Sequence, residues 1–442
     1  RHRAREKRDF IMTKKKILVY DATILANALS KNAARSGIFF VVYNIFKELL
    51  KRKDINLKLY CHPNYLAQLR QLLETEFKDY SDLEIINQSE ENYFFSVKGF
   101  LIQKKHQCRD KGDKFKKSLY HVLSQITGLF SLLPLQGRGW TEKLKAADLF
   151  LSPMNAAPVA VSKYPHIKKF TVLYDAIPLI FPQYFPKLKR KMPSYVKLIR
   201  SINNRDYYFA ISENTKKDFI KHVPAINPGH ITVIPLAPNQ EYKRITDAGV
   251  INAARAKYNI PHGKRYMLSM CTLEPRKNLI FAVRSFAAFS QKNNIDDMVF
   301  VLGGASWDSF SEKFGAVLGG LEKYKNKIIQ AGYIDDEDMN ALYRGAEIFV
   351  YPSLYEGFGM PILEAMSCGA PVICSNASAM PEVIGDAGLM INPENEGELI
   401  KAFETLYFNE ELRREYSKKG EARAKKFSWD KTMEIMAAEM LG

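Results

Sequence analysis

Long apolar runs are missing from this 442-residue chain. None approaches the ~20 residues needed to cross a bilayer as a helix, so a soluble or peripheral globular protein is expected. Cysteine is scarce. The five present (Cys61, Cys108, Cys271, Cys368, Cys374) are scattered and odd in number, which argues against a disulfide framework and for reduced thiols in a cytosol. All eight histidines lie at or before His262, and none stands in a metal-ligand spacing with cysteine; no zinc site is expected. There is no G-x-G-x-x-G, so a dinucleotide is not indicated. No apolar segment follows the basic start, so no signal peptide is expected. Acids are outnumbered, 48 against 65 Lys and Arg, for a net charge of +17. That excess implies an anionic partner. The basic residues are not interleaved with aromatics as in nucleic-acid modules, so nucleic acid is not expected as a partner.

What the chain does contain is a strand–helix rhythm, repeated twice. Its length exceeds one ordinary core, which favours two domains. Residues 1–15 read as a basic N-terminal extension, with Met12 resembling a natural start. Lys16–Asp21 reads as a strand rich in β-formers, followed by the glycine loop Ser36-Gly37. Ile38, Val41, Val42, Ile45, Phe46, Leu49 and Leu50 then fall on one helical face. Further strands are expected at 55–60, 148–152, 169–175, 207–211 and 231–235, with Ser212 placed to cap a helix. A first Rossmann-like domain over 16–235 follows from this order. Residues 236–262 read as a linker, and 263–426 as a second domain that restarts the rhythm with a strand at Tyr266–Met270. Residues 427–442 form a closing helix opened by Phe427-Ser428-Trp429-Asp430.

Two basic clusters stand out in the first domain. Within segment 98–140, eight Lys/Arg against two Asp lie between Lys98 and Lys117, beside the apolar stretch Leu119 to Leu135. A second run, Lys187 to Arg200, has six Lys/Arg and no acid. Basic residues beside helix-compatible apolar sequence suggest an anionic bilayer surface. At about 1 kcal/mol per charge, the first cluster's net six charges supply at most about 6 kcal/mol, less in salt. A solvated surface loop is the alternative.

The densest chemistry lies in Tyr355-Glu356-Gly357-Phe358-Gly359-Met360-Pro361-Ile362-Leu363-Glu364. It follows an apolar strand, Ile348–Pro352, and precedes a short helix ending at Gly369. Gly357 and Gly359 let the backbone turn sharply and approach a ligand. The amides and dipole of the helix start favour an anion. Glu356 and Glu364, bracketing the turn with seven residues between them, suit a sugar diol, because a carboxylate accepts from two hydroxyls at once. Together they imply a sugar nucleotide. Arg276 and Lys277, in Glu274-Pro275-Arg276-Lys277-Asn278, stand at the carboxyl end of a strand and before a helix, where they can grip phosphate oxygens. Asp175 ends another strand; as a base or orienter of an acceptor hydroxyl, or as the cap of the next turn, it has two equal readings. Asp336-Glu337-Asp338 is formally a D-x-D but reads as a helix start, where acids are favoured.

These motifs resemble the retaining glycosyltransferases of family 4, with their E-x7-E signature and GT-B fold, and in particular bacterial polysaccharide mannosyltransferases. The resemblance runs from Lys16 to the C-terminus, strongest over 269–393. It implies an α/β fold of two Rossmann-like domains facing across a cleft, acceptor on the first and donor on the second, with the last helix crossing back. It implies metal-independent transfer of a hexosyl group from a nucleotide diphosphate sugar (GDP-mannose by the look of the family) to a hydroxyl of a glycan or lipid-linked acceptor, without a cofactor. Arg276, Lys277 and the amides of Gly357, Phe358 and Gly359 would hold the diphosphate, Glu364 the ribose and Glu356 the donor sugar. Gly37 would face the cleft, and Tyr333 and Ile334 would border the base. The family commonly has His-Asp where this chain has Tyr174-Asp175, which puts the histidine's role in doubt. The expected place is the cytoplasm, peripheral on the inner membrane face. A sugar-nucleotide epimerase and a non-catalytic membrane-bound scaffold of the same fold are the rival readings.

Overall fold

A computed structural model describes residues 15–27, 37–87, 139–238, 242–272, 274–304 and 322–442, with residues 101, 104, 116, 118–120 and 122–124. Most of the basic segment 98–140 and the extension 1–14 lie outside these. Among the described residues the strands form two parallel sheets. The first joins β1 (Lys16–Asp21), β2 (Ile55–Tyr60), β3 (Ile85–Ile86), β4 (Leu149–Ser152), β5 (Lys168–Leu173), β6 (Tyr207–Ala210) and β7 (Ile231–Val233) in the order 3-2-1-4-5-6-7. The second joins β8 (Arg265–Met270), β9 (Met298–Gly303), β10 (Ile328–Gly332), β11 (Ile348–Tyr351), β12 (Val372–Ser375) and β13 (Leu389–Ile391) in the order 10-9-8-11-12-13. Parallel strands covered on both faces need continuous apolar sequence. Met298-Val299-Phe300-Val301-Leu302 in β9 is buried at every position for that reason. In both sheets the strand order reverses beside the first strand, which opens a crevice at the carboxyl ends.

Helices α1 (Gly37–Lys51) and α2 (Glu213–His222) pack on the first sheet. With the second go α3 (Ala248–Lys257), α4 (Leu279–Lys292), α5 (Met339–Gly345), α6 (Met360–Ser367), α7 (Met380–Ile384) and α8 (Glu410–Ala424). The apolar face expected on α1 is buried through Phe39, Val41, Val42, Ile45, Phe46 and Leu49. Helix α9 (Trp429–Leu441), capped by Ser428, lies against α1. Its end is tied to the first sheet by Lys16 Nζ donating to the Leu441 carbonyl at 2.7 Å and Thr232 Oγ1 donating to Glu439 at 2.9 Å.

One expectation changes and one strand was not foreseen. The stretch 236–262 is not a bare linker: Asp247 caps α3 by accepting from Gly249 and Val250, and Ala254, Tyr258 and Ile260 are buried in the core. Its small alanine-rich face hid that helix from a periodicity reading. The strand β3, two residues long, is too short to leave a sequence pattern. Among the described residues, no helix is long and apolar enough to cross a membrane.

Candidate functional site

The two sheets meet at their carboxyl ends. From the second come two loops. One follows β8 and carries a short 3-10 turn, Pro275–Lys277, closed by Asn278 in the left-handed conformation with a φ of 59°. The other follows β11 and runs through Glu356 into α6. They are stitched together by the Leu354 amide donating to the Arg276 carbonyl at 2.8 Å and by Asn278 Nδ2 donating to the carbonyls of Pro352 and Pro393.

Between the loops lies a buried ionic cluster. Glu356 Oε1 accepts from Lys277 Nζ at 2.7 Å, and its Oε2 pairs with Arg276 Nη1 at 2.9 Å. The Tyr351 hydroxyl accepts from Lys277 Nζ at 2.9 Å and donates to Glu356 Oε1 at 2.9 Å. Arg276 also donates to the Tyr355 carbonyl, and the Glu356 amide donates to Ser378 Oγ. Burial opposes the charge on Glu356, but Lys277 and then Arg276 overcome it and hold the carboxyl at about 2. Burial likewise works against the Arg276 charge, and Glu356 more than offsets it, so the guanidinium holds its proton more tightly than usual. The carboxylate is therefore ionised throughout the physiological range; Arg276 Nη2 also pairs with the more exposed Glu274 at 3.4 Å, so inside the cluster two cations share the one buried carboxylate, with a second at its edge. The basic pair and Glu356, expected on phosphate and on sugar, are linked to one another as one interlocked group.

Glu364 sits in the middle of α6 and accepts from the Tyr343 hydroxyl at 2.9 Å. It keeps some contact with solvent, yet burial raises its pKa to about 7; the Tyr343 hydrogen bond only partly offsets this, and Asp336 adds to the rise. The contrast between the two glutamates is one of partners: two cations for one, a neutral phenol for the other. Helix α6 starts after Gly359, whose φ of 109° favours glycine, with Pro361 in its first turn. It ends in a Schellman pattern, Ala370 N to Ala365 O and Gly369 N to Met366 O, with Gly369 at a φ of 77°.

Gly357 has a reason the sequence did not disclose. A Cβ there would lie 2.5 Å from the Tyr174 carbonyl oxygen, on the other sheet's side of the crevice. Its own carbonyl accepts from Ser212 Oγ at 2.7 Å and Thr215 Oγ1 at 3.2 Å. Across the same junction, Glu382 of α7 accepts from the amides of Glu213 and Asn214 at 2.8 and 2.7 Å, adding a carboxylate to the α2 start. Tyr355 is held by Asn214 and Asp218 and meets Phe181 edge-on. Ser378, Tyr351, Tyr343 and Glu382 were not singled out from sequence; only the φ of 51° at Ser378 hints at a special place, and that is a conformational signal.

From the first sheet comes Asp175. Burial raises its carboxyl above the usual range, and it feels Arg276, Glu356 and Lys277 nearby. Its Oδ1 accepts from the Ile177 amide at 3.0 Å, so the turn-capping reading is seen directly. The Tyr174 hydroxyl donates to the Pro153 carbonyl at 2.8 Å and is spent within its own domain.

Other expected positions fall apart from this cluster. Phe358 is buried and meets Phe427 edge-on, leaving only its backbone for a ligand. Tyr333 is 65 % exposed, whereas Ile334 is buried in the core and packs beside Gly303. Gly37 is the first residue of α1 and exposed. The acids at 336–338 form the turn that opens α5, as expected, although Asp338 at its N-cap makes no side-chain capping bond. Asp335, Glu337 and Asp338 form a possible cation cluster, but Lys257 Nζ already pairs with Asp335 and Asp338 at 2.7 and 2.6 Å.

The family described as glycosyl transferases group 1 matches residues 250–423. The O-antigen chain mannosyltransferase B of Escherichia coli is 33% identical over 279 residues, which are 61% of this chain and 70% of that protein. A serotype-specific mannosyltransferase WbdA of Escherichia coli is 29% identical over 273 residues, but the match spans 32% of its length. Among solved structures, Anabaena Alr3699/HepE in complex with UDP and glucose superposes with a TM-score of 0.65 at 16% identity, over 96% of this chain and 98% of that one. WaaG, a glycosyltransferase involved in lipopolysaccharide biosynthesis, superposes with a TM-score of 0.60 at 14% identity, over 96% and 100%. Both support the two-sheet GT-B architecture.

Proposed function

The chain belongs to the group 1 glycosyl transferases, and from that premise we propose that it moves mannose from GDP-mannose to a hydroxyl of a glycan or lipid-linked acceptor in surface polysaccharide synthesis, with retained configuration. The observation that carries the reading is the buried Arg276–Lys277–Glu356 cluster at the carboxyl ends of β8 and β11, with Asp175 of the first sheet close enough to feel its charges. Mannose is favoured because the relatives above are named mannosyltransferases.

The mechanism follows from charge. A leaving diphosphate gains negative charge as the glycosidic bond breaks. Arg276 and Lys277 hold positive charge in a buried site, where it acts strongly on charge that develops in the transition state. They supply what a metal ion supplies elsewhere. Glu356 keeps both cations in place and, through its anion, favours positive charge on the sugar ring. Tyr351 fixes the Lys277 ammonium. Glu364 accepts ribose hydroxyls, and the departing phosphate oxygen takes the acceptor's proton. Asp175, engaged with Ile177, orients the first-domain wall rather than acting as base.

The acceptor side is basic. Helical turns at Leu188–Lys191 and Pro193–Ser201 carry the second basic run, and Lys189, Lys197 and Arg200 line a groove of about 390 Å3. None of Lys187, Lys189, Arg190, Lys197 and Arg200 has an ion pair among the described residues. This supports a peripheral place on an anionic inner membrane face, and co-sedimentation with anionic liposomes at low salt tests it; no pelleting removes that part. The transfer itself is tested by incubating the protein with GDP-mannose and polyprenyl diphosphate-linked glycans, then reading the product's anomeric configuration by NMR. An α-linked mannoside supports the reading. An altered sugar nucleotide formed without acceptor would point to the epimerase, and no turnover with any nucleotide sugar to the scaffold.

A further inference from the structure

At the opposite, amino-terminal edge of the second sheet lies a cleft of about 620 Å3 that the transfer site does not use. Its floor is built where β8 begins (Arg265), where α5 gives way to β11 (Arg344 to Glu347) and where α6 turns toward β12 (Gly369, Pro371). The amino-terminal half of α8 forms its other wall.

Six cations line it: Arg244, Arg265, Arg344, Arg413, Arg414 and Lys418. Four are neutralised. Arg244 pairs with Glu421 at 2.8 Å, Arg265 with Asp297 at 2.9 Å, Arg413 with Glu347 at 2.9 Å and Arg414 with Glu410 at 2.5 Å. Arg344 and exposed Lys418 have no ion pair among the described residues. The Arg344 Nε is also buried without any hydrogen-bond partner. An unpaired buried donor of a charged group is costly. Its surroundings compound this: burial first, and the Arg244 charge second, hold the Arg344 pKa below the usual guanidinium range. Glu421 and Glu347, already paired with Arg244 and Arg413, offset this only in part, so Arg344 and Lys418 leave an excess of positive charge in one cleft, with a fork-shaped donor at its base.

We infer that this cleft is an anion site for a small phosphate-bearing molecule, a phosphate monoester or diphosphate carrying two negative charges. A guanidinium grips phosphate oxygens in a fork, with an ammonium adding a point charge. The volume holds more than a bare phosphate. The site is separate from the Arg276–Lys277 cluster and does not depend on the proposed reaction.

Calorimetric titration of the full chain with inorganic pyrophosphate at low salt tests the inference, using the wild type, Arg344→Gln, Lys418→Gln and the Arg276→Gln/Lys277→Gln pair. The pair variant should still bind pyrophosphate. Arg344→Gln should weaken the remaining site by about tenfold or more, the worth of one charged hydrogen bond. Lys418→Gln sits on the exposed rim and should weaken it about twofold to fivefold even if Arg344→Gln folds poorly. Glycerol 3-phosphate displacing pyrophosphate would identify a free phosphate ester, and displacement only by phosphatidic acid vesicles a lipid headgroup; either supports the site. Loss of all binding in the pair variant, or unchanged binding in both Arg344→Gln and Lys418→Gln, overturns it.

Discussion

The pH dependence of donor binding should be set by Glu364. Its folded pKa of about 7 stands well above the ordinary carboxylate value of 4.5. The ionised form accepts from two ribose hydroxyls through charge-assisted bonds, which the protonated form makes more weakly and with one oxygen fewer, so affinity should rise as pH rises through 7. About one molecule in ten is ionised at pH 6 and about nine in ten at pH 8, which predicts roughly tenfold tighter binding at pH 8. GDP-mannose is the right titrant, because its diphosphate diester has no ionisation in this window. The stability sign runs the other way. A raised carboxyl favours the protonated native state, so its contribution is fullest below 4.5 and is lost as pH rises through 7. The gap of about 2.5 pH units corresponds to at most about 3 kcal/mol. Glu364→Gln keeps an acceptor for Tyr343 and removes the charge. It should therefore raise Tm at pH 8 by up to roughly 6–12 °C, leave Tm at pH 5 nearly unchanged, and give weak, pH-independent GDP-mannose binding. Isothermal titration and thermal unfolding at pH 5, 6, 7 and 8 measure both. Wild-type affinity that is flat between pH 6 and 8, or a Glu364→Gln variant less stable at pH 8, would refute the reasoning.

Glu356→Gln should behave oppositely: it strands Arg276 and Lys277 as buried cations and should cost about 3–5 kcal/mol in urea unfolding. Because Glu356 titrates at about 2, its contribution is present above 4.5 and fades only as pH falls toward 2, so the loss should be constant from pH 5 to 8. Gly357→Ala pushes a Cβ against the Tyr174 carbonyl and should cost about 1–3 kcal/mol; small-angle scattering should show the two domains further apart, and an unchanged profile with full activity would count against it. Tyr174→Phe removes only the hydrogen bond to Pro153; about 1 kcal/mol of stability should go, with kcat within about twofold of wild type, whereas a large kcat loss would give the phenol a catalytic part.

How much of this was legible in the sequence depended on the range of the interaction. All the strands but the two-residue β3 announced themselves, most clearly where a parallel sheet buried on both faces needs an unbroken apolar run, as in β9 and β11. Ser212 as a cap is a local pattern and stands as expected; the return of α9 to the first domain was implied by the family resemblance, and α9 does pack on α1. The basic pair and the two glutamates were found by residue type and spacing. What escaped was their wiring. That Glu356 closes on Arg276 and Lys277 instead of standing free, that Gly357 is required by Tyr174 of the other domain, and that Ile334 turns inward are all matters of distant segments meeting. Tyr351 and Tyr343 read as core aromatics in a strand and a helix, and so they are; only their hydroxyls reach the carboxylates.

The most direct test of the account is thermal shift with GDP, UDP, dTDP and ADP on wild type, Arg276→Gln and Glu364→Ala. At about 100 times its dissociation constant a ligand adds about 2.7 kcal/mol, a rise of roughly 5–10 °C for a domain of this size. The account predicts that GDP stabilises the wild type by about that much and neither variant. Equal stabilisation of all three proteins, or no stabilisation of the wild type by any nucleotide, would contradict it.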